Sequence, residues 1–276
     1  MPTGSTELLS PDNDTGRGKF SAGPVRAEEI HKSRPANVWI HRTVAETAHS
    51  LTAHFDLPDA SSSPRFVDFV EVQRQIGILQ AHCQLGVPER DVFILDKISL
   101  RLVAPTAPGD ASSARGIIRA HLVATGGGGR SRSLTQYFSL EGATGLIAVG
   151  KAASSLLPRT VYERIRRQSP TSTNGISLRS NYTYSEPIRI DPDDPLVSDH
   201  PSDHLTAIQT IADVERVALR QTPSTNVRSL KLTFQRYAEL EPSPTLRLKV
   251  SGTGRLVAEV TQHDIRRIKI TGSVTS

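Results

Sequence analysis

Three of the polar residues in the segment VDFVEVQRQIGILQAH, at residues 67–82, are of types that could do chemistry inside a largely buried helix. They are Glu71, Arg74 and Gln75, and apolar residues recur around them at helical spacing, which predicts a helix buried on most sides. In that setting a carboxylate can act as a general base, a guanidinium can bind an oxyanion or a phosphate, and an amide can orient a carbonyl group. The structural alternative is an ion pair between Glu71 and Arg74, whose i, i+3 spacing stabilises a helix without any catalytic role.

Other polar residues lie where they can reach a ligand. His82 falls on the same helix face as Glu71, and Lys32 precedes the first predicted strand. Each has a structural alternative, a helix cap or core residue for His82 and a solvated strand end for Lys32. The H-x-x-D-H segment ending at His204 contains metal-ligand types at a loose spacing, and Asp203 is predicted to cap the next helix instead. We therefore expect no metal at this segment.

Composition and charge narrow the classes of protein. The chain has 276 residues, a formal charge of +5 and one cysteine, Cys83, which excludes an internal disulfide and suits the cytoplasm. The N-terminal segment does not resemble a secretion signal, and no apolar stretch reaches about 20 residues, so the sequence predicts no membrane span. The basic residues are dispersed except in two short clusters, at 164–168 and 264–269, which argues against nucleic acid as a partner and leaves an acidic partner or a phosphorylated substrate.

The chain divides into two similar halves. Residues 1–24 have the composition of a disordered tail, 25–150 form the first half, 151–175 a connector with a short helix, and 176–276 the second half. Each half contains a long helical segment followed by segments that alternate apolar and polar residues as strands do, and GGGG at 126–129 is predicted to close a hairpin. This repetition predicts an α+β double hotdog, in which each repeat wraps a curled antiparallel sheet around a long central helix.

Three segments carry a family resemblance: EEIHKSRPANVWI, VEVQRQIGILQAHCQLGVP and DPDDPLVSDHPSDH. Together they resemble the A-factor biosynthesis family of γ-butyrolactone autoregulator synthases, which carry two hotdog repeats in one chain. The resemblance runs from about residue 25 to the end. The second half departs from the family pattern, because Ala212 and Glu215 replace the expected Glu and Arg, so we expect one ligand pocket, between the repeats and beside the first helix.

The resemblance implies a condensing acyltransferase that uses no metal and no redox cofactor. Such an enzyme joins a β-ketoacyl group from an acyl carrier protein to dihydroxyacetone phosphate, a phosphorylated three-carbon acceptor, and yields a butenolide precursor of a signalling molecule. It implies catalytic roles for Glu71 and Arg74 and substrate contacts from four further residues: Lys32, Gln75, His82 and His204. Two alternatives stay open, a hotdog dehydratase or thioesterase acting on acyl thioesters, and a homologue that binds acyl groups or regulates without catalysis.

Overall fold

A single curved antiparallel sheet dominates the structure, a computed structural model that describes residues 24–58, 64–103, 114–125, 132–168, 181–199 and 202–275. Its 11 strands lie in the order β1-β2-β4-β5-β6-β3-β8-β11-β10-β9-β7. The strands are β1 Ile40–Glu46, β2 Ser50–Asp56, β3 Val92–Leu102, β4 Arg115–Thr125, β5 Arg132–Gly142, β6 Gly145–Leu157, β7 Tyr184–Pro187, β8 Asn226–Phe234, β9 Thr245–Val250, β10 Arg255–Gln262 and β11 Ile265–Thr275. The helices are α1 Phe66–Leu85, α2 Arg159–Gln168 and α3 Ala207–Arg220.

The connections repeat on either side of the sheet centre. In the first half, α1 follows β2 and precedes β3, and the sheet then runs outward from β3 through β6, β5 and β4 to β2. In the second half, α3 follows β7 and precedes β8, and the sheet runs outward from β8 through β11, β10 and β9 to β7. Each half therefore places its strands in the same topological order, with β1 as an extra edge strand.

The two halves meet at the antiparallel pair β3 and β8. Their register runs from Lys97 opposite Thr233 to Arg101 opposite Ser229. The helices α1 and α3 contact each other, and both pack on strands of the sheet. The large antiparallel sheet with few helices agrees with the predicted fold class, and the arrangement of the two halves is consistent with a double hotdog.

Local sequence explains where α1 begins and ends. Asp68 accepts a hydrogen bond from the backbone N–H of Arg65, the N-cap, in a capping box. Gly86 ends the helix with φ of 59°, a left-handed conformation that glycine adopts without strain. Between these ends most side chains are buried, and the helix occupies the predicted range almost residue for residue.

The segment between the halves differs from its predicted form. Residues 151–157, assigned from sequence to the connector, complete strand β6, which pairs with both β3 and β5. Its inward positions include Ala152 and Ser154, small residues that weaken the apolar alternation. The short helix predicted in the connector is α2. The GGGG loop, residues 169–175 and residues 1–23 of the predicted tail lie outside the described residues. Among the described helices, none has the length and apolar character needed to cross a membrane.

Candidate functional site

A cavity of about 590 Å³ lies between α1, β3, the concave face of β5 and β6, and the start of α3. Residues from both halves line it, which agrees with the position expected for a ligand pocket. Apolar side chains form much of its wall, and its polar lining includes Lys32, Glu71, Gln73, Arg74, Gln136, Tyr162, His204 and Tyr237. Its volume falls within the range typical of small-molecule sites, roughly 300–1,000 Å³.

Glu71 is the centre of a charged cluster in the cavity wall. Its side chain is fully buried, and Oε1 accepts hydrogen bonds from Gln75 Nε2 at 2.9 Å and Arg74 Nη2 at 3.0 Å, while Oε2 accepts one from Arg74 Nε at 2.9 Å. Lys32 Nζ lies 3.1 Å from Oε1 and 3.8 Å from Oδ2 of Asp199. The structure thus brings together four of the residues singled out in the sequence, and adds Asp199.

Opposing effects determine the ionisation of this cluster. Burial alone would raise the pKa of Glu71, but the adjacent charges of Arg74 and Lys32 lower the pKa overall. Burial lowers the pKa of Lys32, and Glu71 only partly offsets this effect. Glu71 is therefore held as an anion that accepts hydrogen bonds from its neighbours. This arrangement suits Glu71 to positioning Arg74 and Lys32 better than to accepting a proton.

Gln75 is fully engaged with the backbone. Its Oε1 accepts hydrogen bonds from the N–H groups of Trp39 and Ile40 at 2.8 and 3.3 Å, and its Nε2 donates to the carbonyl oxygen of Asn37 at 2.8 Å. It does not line the cavity. The amide secures the chain entering β1 against α1, so the geometry assigns it a structural role, while the predicted substrate contact stays a prediction.

His82 lies behind the cavity wall, in contact with His31, which does line it. His82 Nδ1 lies 2.6 Å from the carbonyl oxygen of Val87, just beyond the end of α1, and the two Nε2 atoms lie 3.1 Å apart. Because Nδ1 must donate to a carbonyl oxygen, neutral His82 presents Nε2 as the acceptor for the N–H of His31. Phe93 packs edge-on against both rings. His82 is thus a positioned neighbour of the cavity, not part of its surface.

His204 lies on the opposite wall, supplied by the second half. Its Nδ1 is 2.6 Å from Oδ1 of Asp203, and its ring packs edge-on against Tyr237 at 5.1 Å. Within the described part of the chain, no group bonds to Nε2 of His204. A carboxylate that accepts the Nδ1 proton leaves Nε2 with its lone pair, the arrangement of a general base.

A further ion pair holds Asp203 in place. Arg166 of α2 donates Nε to Asp203 at 3.1 Å and both terminal nitrogens to Glu239, at 2.7 and 2.6 Å. Burial would raise the pKa of Asp203, but its bond to His204 and the charge of Arg166 lower it. The prediction that Asp203 caps α3 is wrong, because Thr206 is the N-cap and accepts a hydrogen bond from the N–H of Gln209 at 3.2 Å. His200 lies outside the described residues.

At the two positions where the second half departs from the family pattern, the structure also differs between the halves. Glu215, at the position matched to Arg74, is buried and accepts hydrogen bonds from backbone N–H groups at the start of α1. Ala212, at the position matched to Glu71, is partly buried and packs against the main apolar core. At the positions matched to Glu71 and Arg74, α3 therefore carries no ion pair; its own pair, Asp213 with Arg216, lies one residue further along.

Several residues of the site were missed in the sequence. Tyr162 and Arg166 come from α2, and Tyr237 follows β8; nothing in their local pattern predicts a place in or beside the cavity. Gln73 has a detectable signal, since it begins a polar series on α1 at spacings of seven and four residues with Gln80 and Gln84. Among the described residues, no group of three or more His, Cys, Asp or Glu side chains has a metal-binding arrangement.

Comparison with known proteins supports the fold. No protein-family profile matches the sequence, and no curated protein matches it significantly. The 12:0-ACP thioesterase of Umbellularia californica superposes with a TM-score of 0.56 at 11% identity, covering 84% of this chain and 99% of that one. A protein assigned as an oleoyl thioesterase in Lactobacillus plantarum superposes with a TM-score of 0.50 at 9% identity, covering 83% and 95%. The chain has a hotdog fold.

Proposed function

We propose that the protein is a double-hotdog acyltransferase that moves an acyl group from a thioester to a hydroxyl group of a small acceptor. The observation that carries the proposal is the pair His204 and Asp203, which presents a free Nε2 on the wall of a largely apolar cavity. Such a cavity suits an acyl chain, and the oriented imidazole suits activation of a hydroxyl. The fold similarity to thioesterases is compatible with an acyl thioester as the donor.

The proposed reaction uses His204 as the base and the first turn of α3 as the oxyanion site. Nε2 of His204 removes the proton of the acceptor hydroxyl, whose oxygen attacks the thioester carbonyl carbon; the C–S bond then breaks, an ester C–O bond forms, and the proton passes to the leaving thiolate. The first turn of α3, at Ala207 and Ile208, also lines the cavity. Backbone N–H groups in the first turn of a helix carry partial positive charge and stabilise an oxyanion.

In this proposal, the charged cluster on α1 binds the acceptor. Glu71 holds Arg74 through Nε and Nη2, which leaves Nη1 of a side chain that is 24% exposed. A guanidinium fixed in this way is suited to a phosphate group, so a phosphorylated three-carbon acceptor such as dihydroxyacetone phosphate fits this wall. The resemblance to γ-butyrolactone synthases adds the remaining expectations: a β-ketoacyl carrier protein as donor, a butenolide as product and the cytoplasm as location.

Hydrolysis is the second candidate function. His204 and Glu71 come from different halves and line the same cavity, so water in the place of the acceptor would give a thioesterase. The two functions share the base and the acyl site and differ only in the acceptor.

The decisive experiment supplies the purified protein with a β-ketoacyl thioester, with and without dihydroxyacetone phosphate, and follows products by mass spectrometry. We expect a new phosphorylated ester or butenolide only when the acceptor is present. Thioester consumption that is independent of acceptor would establish hydrolysis instead. Tight binding of the thioester without turnover would overturn both and identify a binding protein.

A further inference from the structure

A network of glutamine side chains connects α1 with the sheet. Gln136 of β5 donates Nε2 to the carbonyl oxygen of Gly77 at 2.9 Å and to Oε1 of Gln80 at 3.0 Å. Gln80 in turn donates to Oε1 of Gln84 at 2.9 Å and to the carbonyl oxygens of His49 and Ala120, both at 3.2 Å. These three buried or partly buried glutamines thus find partners within the protein.

Gln73, one turn before Gly77 on the same face of α1, stands outside this network. The residue is 1% exposed and lines the cavity, yet neither Oε1 nor Nε2 has a hydrogen-bond partner among the described residues. Buried amides are almost always hydrogen-bonded, because an unpaired donor or acceptor loses its bonds to water without replacement. An unpaired amide at a cavity wall is therefore suited to a polar group of the ligand.

The sheet opposite Gln73 leaves room for this amide. A Cβ atom placed on Gly150 of β6 would lie 2.4 Å from Oε1 of Gln73 and 3.0 Å from its Cδ. Only a residue without a side chain leaves the amide in its present position. Gly150 therefore leaves space for the amide between α1 and β6, beside the cavity that Gln136 and Ser154 also line.

We propose that Gln73 selects acyl chains that carry an oxygen substituent, best a hydroxyl group, over unsubstituted alkyl chains. This inference rests on the proposed function for the presence of an acyl chain in the cavity. A hydroxyl group can accept a hydrogen bond from Nε2 and donate one to Oε1, which would satisfy both atoms of the amide. An unsubstituted chain leaves both atoms unpaired.

The test measures binding, which does not require turnover. Decanoic acid and a set of its monohydroxy isomers are titrated calorimetrically into the wild-type protein and the Gln73→Leu variant. We expect one isomer to bind the wild type about tenfold more tightly than decanoic acid, the factor expected of one net hydrogen bond, and Gln73→Leu to remove that preference. The variant should bind decanoic acid at least as tightly as the wild type does.

Two controls separate this role from a structural one. Ile78→Leu alters an apolar residue of the same cavity and should change all affinities alike, leaving the ratio unchanged. Gln73→Leu should melt no lower than the wild type, since it removes no hydrogen bond within the described protein. A lower melting temperature would show that the amide has a structural partner and would overturn the inference.

The remaining outcomes are also informative. Three results would overturn the inference. The wild type could bind decanoic acid and all its monohydroxy isomers equally, Gln73→Leu could keep the preference for one isomer, or none of the acids could bind. Selective binding that depends on Gln73, combined with no acyl transfer, would instead refute the proposed function and leave the selectivity established.

Discussion

Glu215 of α3 caps the N-terminus of α1 through the backbone of Phe66. Its Oε1 accepts a hydrogen bond from the N–H of Phe66 at 2.6 Å, and its Oε2 accepts one from the N–H of Val67 at 3.0 Å. These N–H groups belong to the first turn, which has no intrahelical partners for them. A side chain of the second half therefore completes the helix that carries the charged cluster of the first.

Glu215 should make stability depend on pH. Burial raises the pKa of Glu215 to about 7 from 4.5, despite the two backbone hydrogen bonds. Because the folded protein holds the proton more tightly, this contribution is complete below pH 4.5 and is lost as the pH rises to about 7, by up to about 3 kcal/mol. Denaturant unfolding from pH 4 to 8 should show the free energy of unfolding of the wild type falling relative to that of Glu215→Gln. Glu163→Gln, on α2 with a side chain 46% exposed, is the control and should give a flat difference.

Removal of the Glu71 charge should destabilise the fold. Glu71→Gln leaves Lys32 and Arg74 without their common partner, and loss of one member of a buried ion pair typically costs about 3–5 kcal/mol. Glu29→Gln removes an exposed pair with Arg26 and should cost less than about 1 kcal/mol. Urea unfolding of both variants measures the difference, and adding Lys32→Met to Glu71→Gln should recover part of the loss.

The same variant tests whether Glu71 is the base. If Glu71 only positions Arg74, single-turnover rates corrected for the folded fraction should stay within about tenfold of the wild type. A loss of about 10²- to 10⁴-fold in the folded fraction would support the catalytic role expected from the sequence.

His204→Gln should remove turnover while leaving the fold intact. A general base contributes about 10²- to 10⁴-fold to the rate, and the His204 side chain is 28% exposed, so its replacement disturbs little packing. Asp203→Asn should reduce the rate less, because the imidazole remains but loses its orienting carboxylate. Stopped-flow thioester assays and thermal melts on both variants test this order, and full activity in His204→Gln would exclude the proposed base.

Loss of Gln136 should destabilise the protein where loss of Gln73 does not. Gln136→Leu leaves the carbonyl oxygen of Gly77 and Oε1 of Gln80 without their donor, at roughly 1–3 kcal/mol for each buried group left unpaired. Parallel urea unfolding of Gln136→Leu and Gln73→Leu measures the contrast, and equal losses would contradict the hydrogen-bond network described above.

Much of the fold follows from local patterns. The helical spacing of apolar residues between Val67 and Ile78 predicted α1, and alternation predicted β3, β4 and β5 and the strands after α3, because side-chain direction repeats every 3.6 residues in a helix and every two in a strand. Where small residues weaken the alternation, as at Ala152 and Ser154, the end of β6 was assigned to the connector. The sequence also marked Glu71 and Arg74, whose charges stand out beside apolar neighbours, and Lys32, which precedes the first predicted strand.

The tertiary structure decided what these residues do. Glu215 meets Phe66 across 149 positions of the chain, and Arg166 meets Glu239 across 73, distances at which no local spacing predicts a contact. Whether Gln75 faces a ligand or the backbone of Trp39 depends on how α1 is rotated against β1, and packing of the whole core sets that rotation. By itself, the sequence determined the elements and the charged residues of α1. The fold decided that His204 lines the same cavity and that Gln73 has no hydrogen-bond partner in the part of the chain that the structure describes, because hydrogen bonds form between groups that folding brings within about 3 Å.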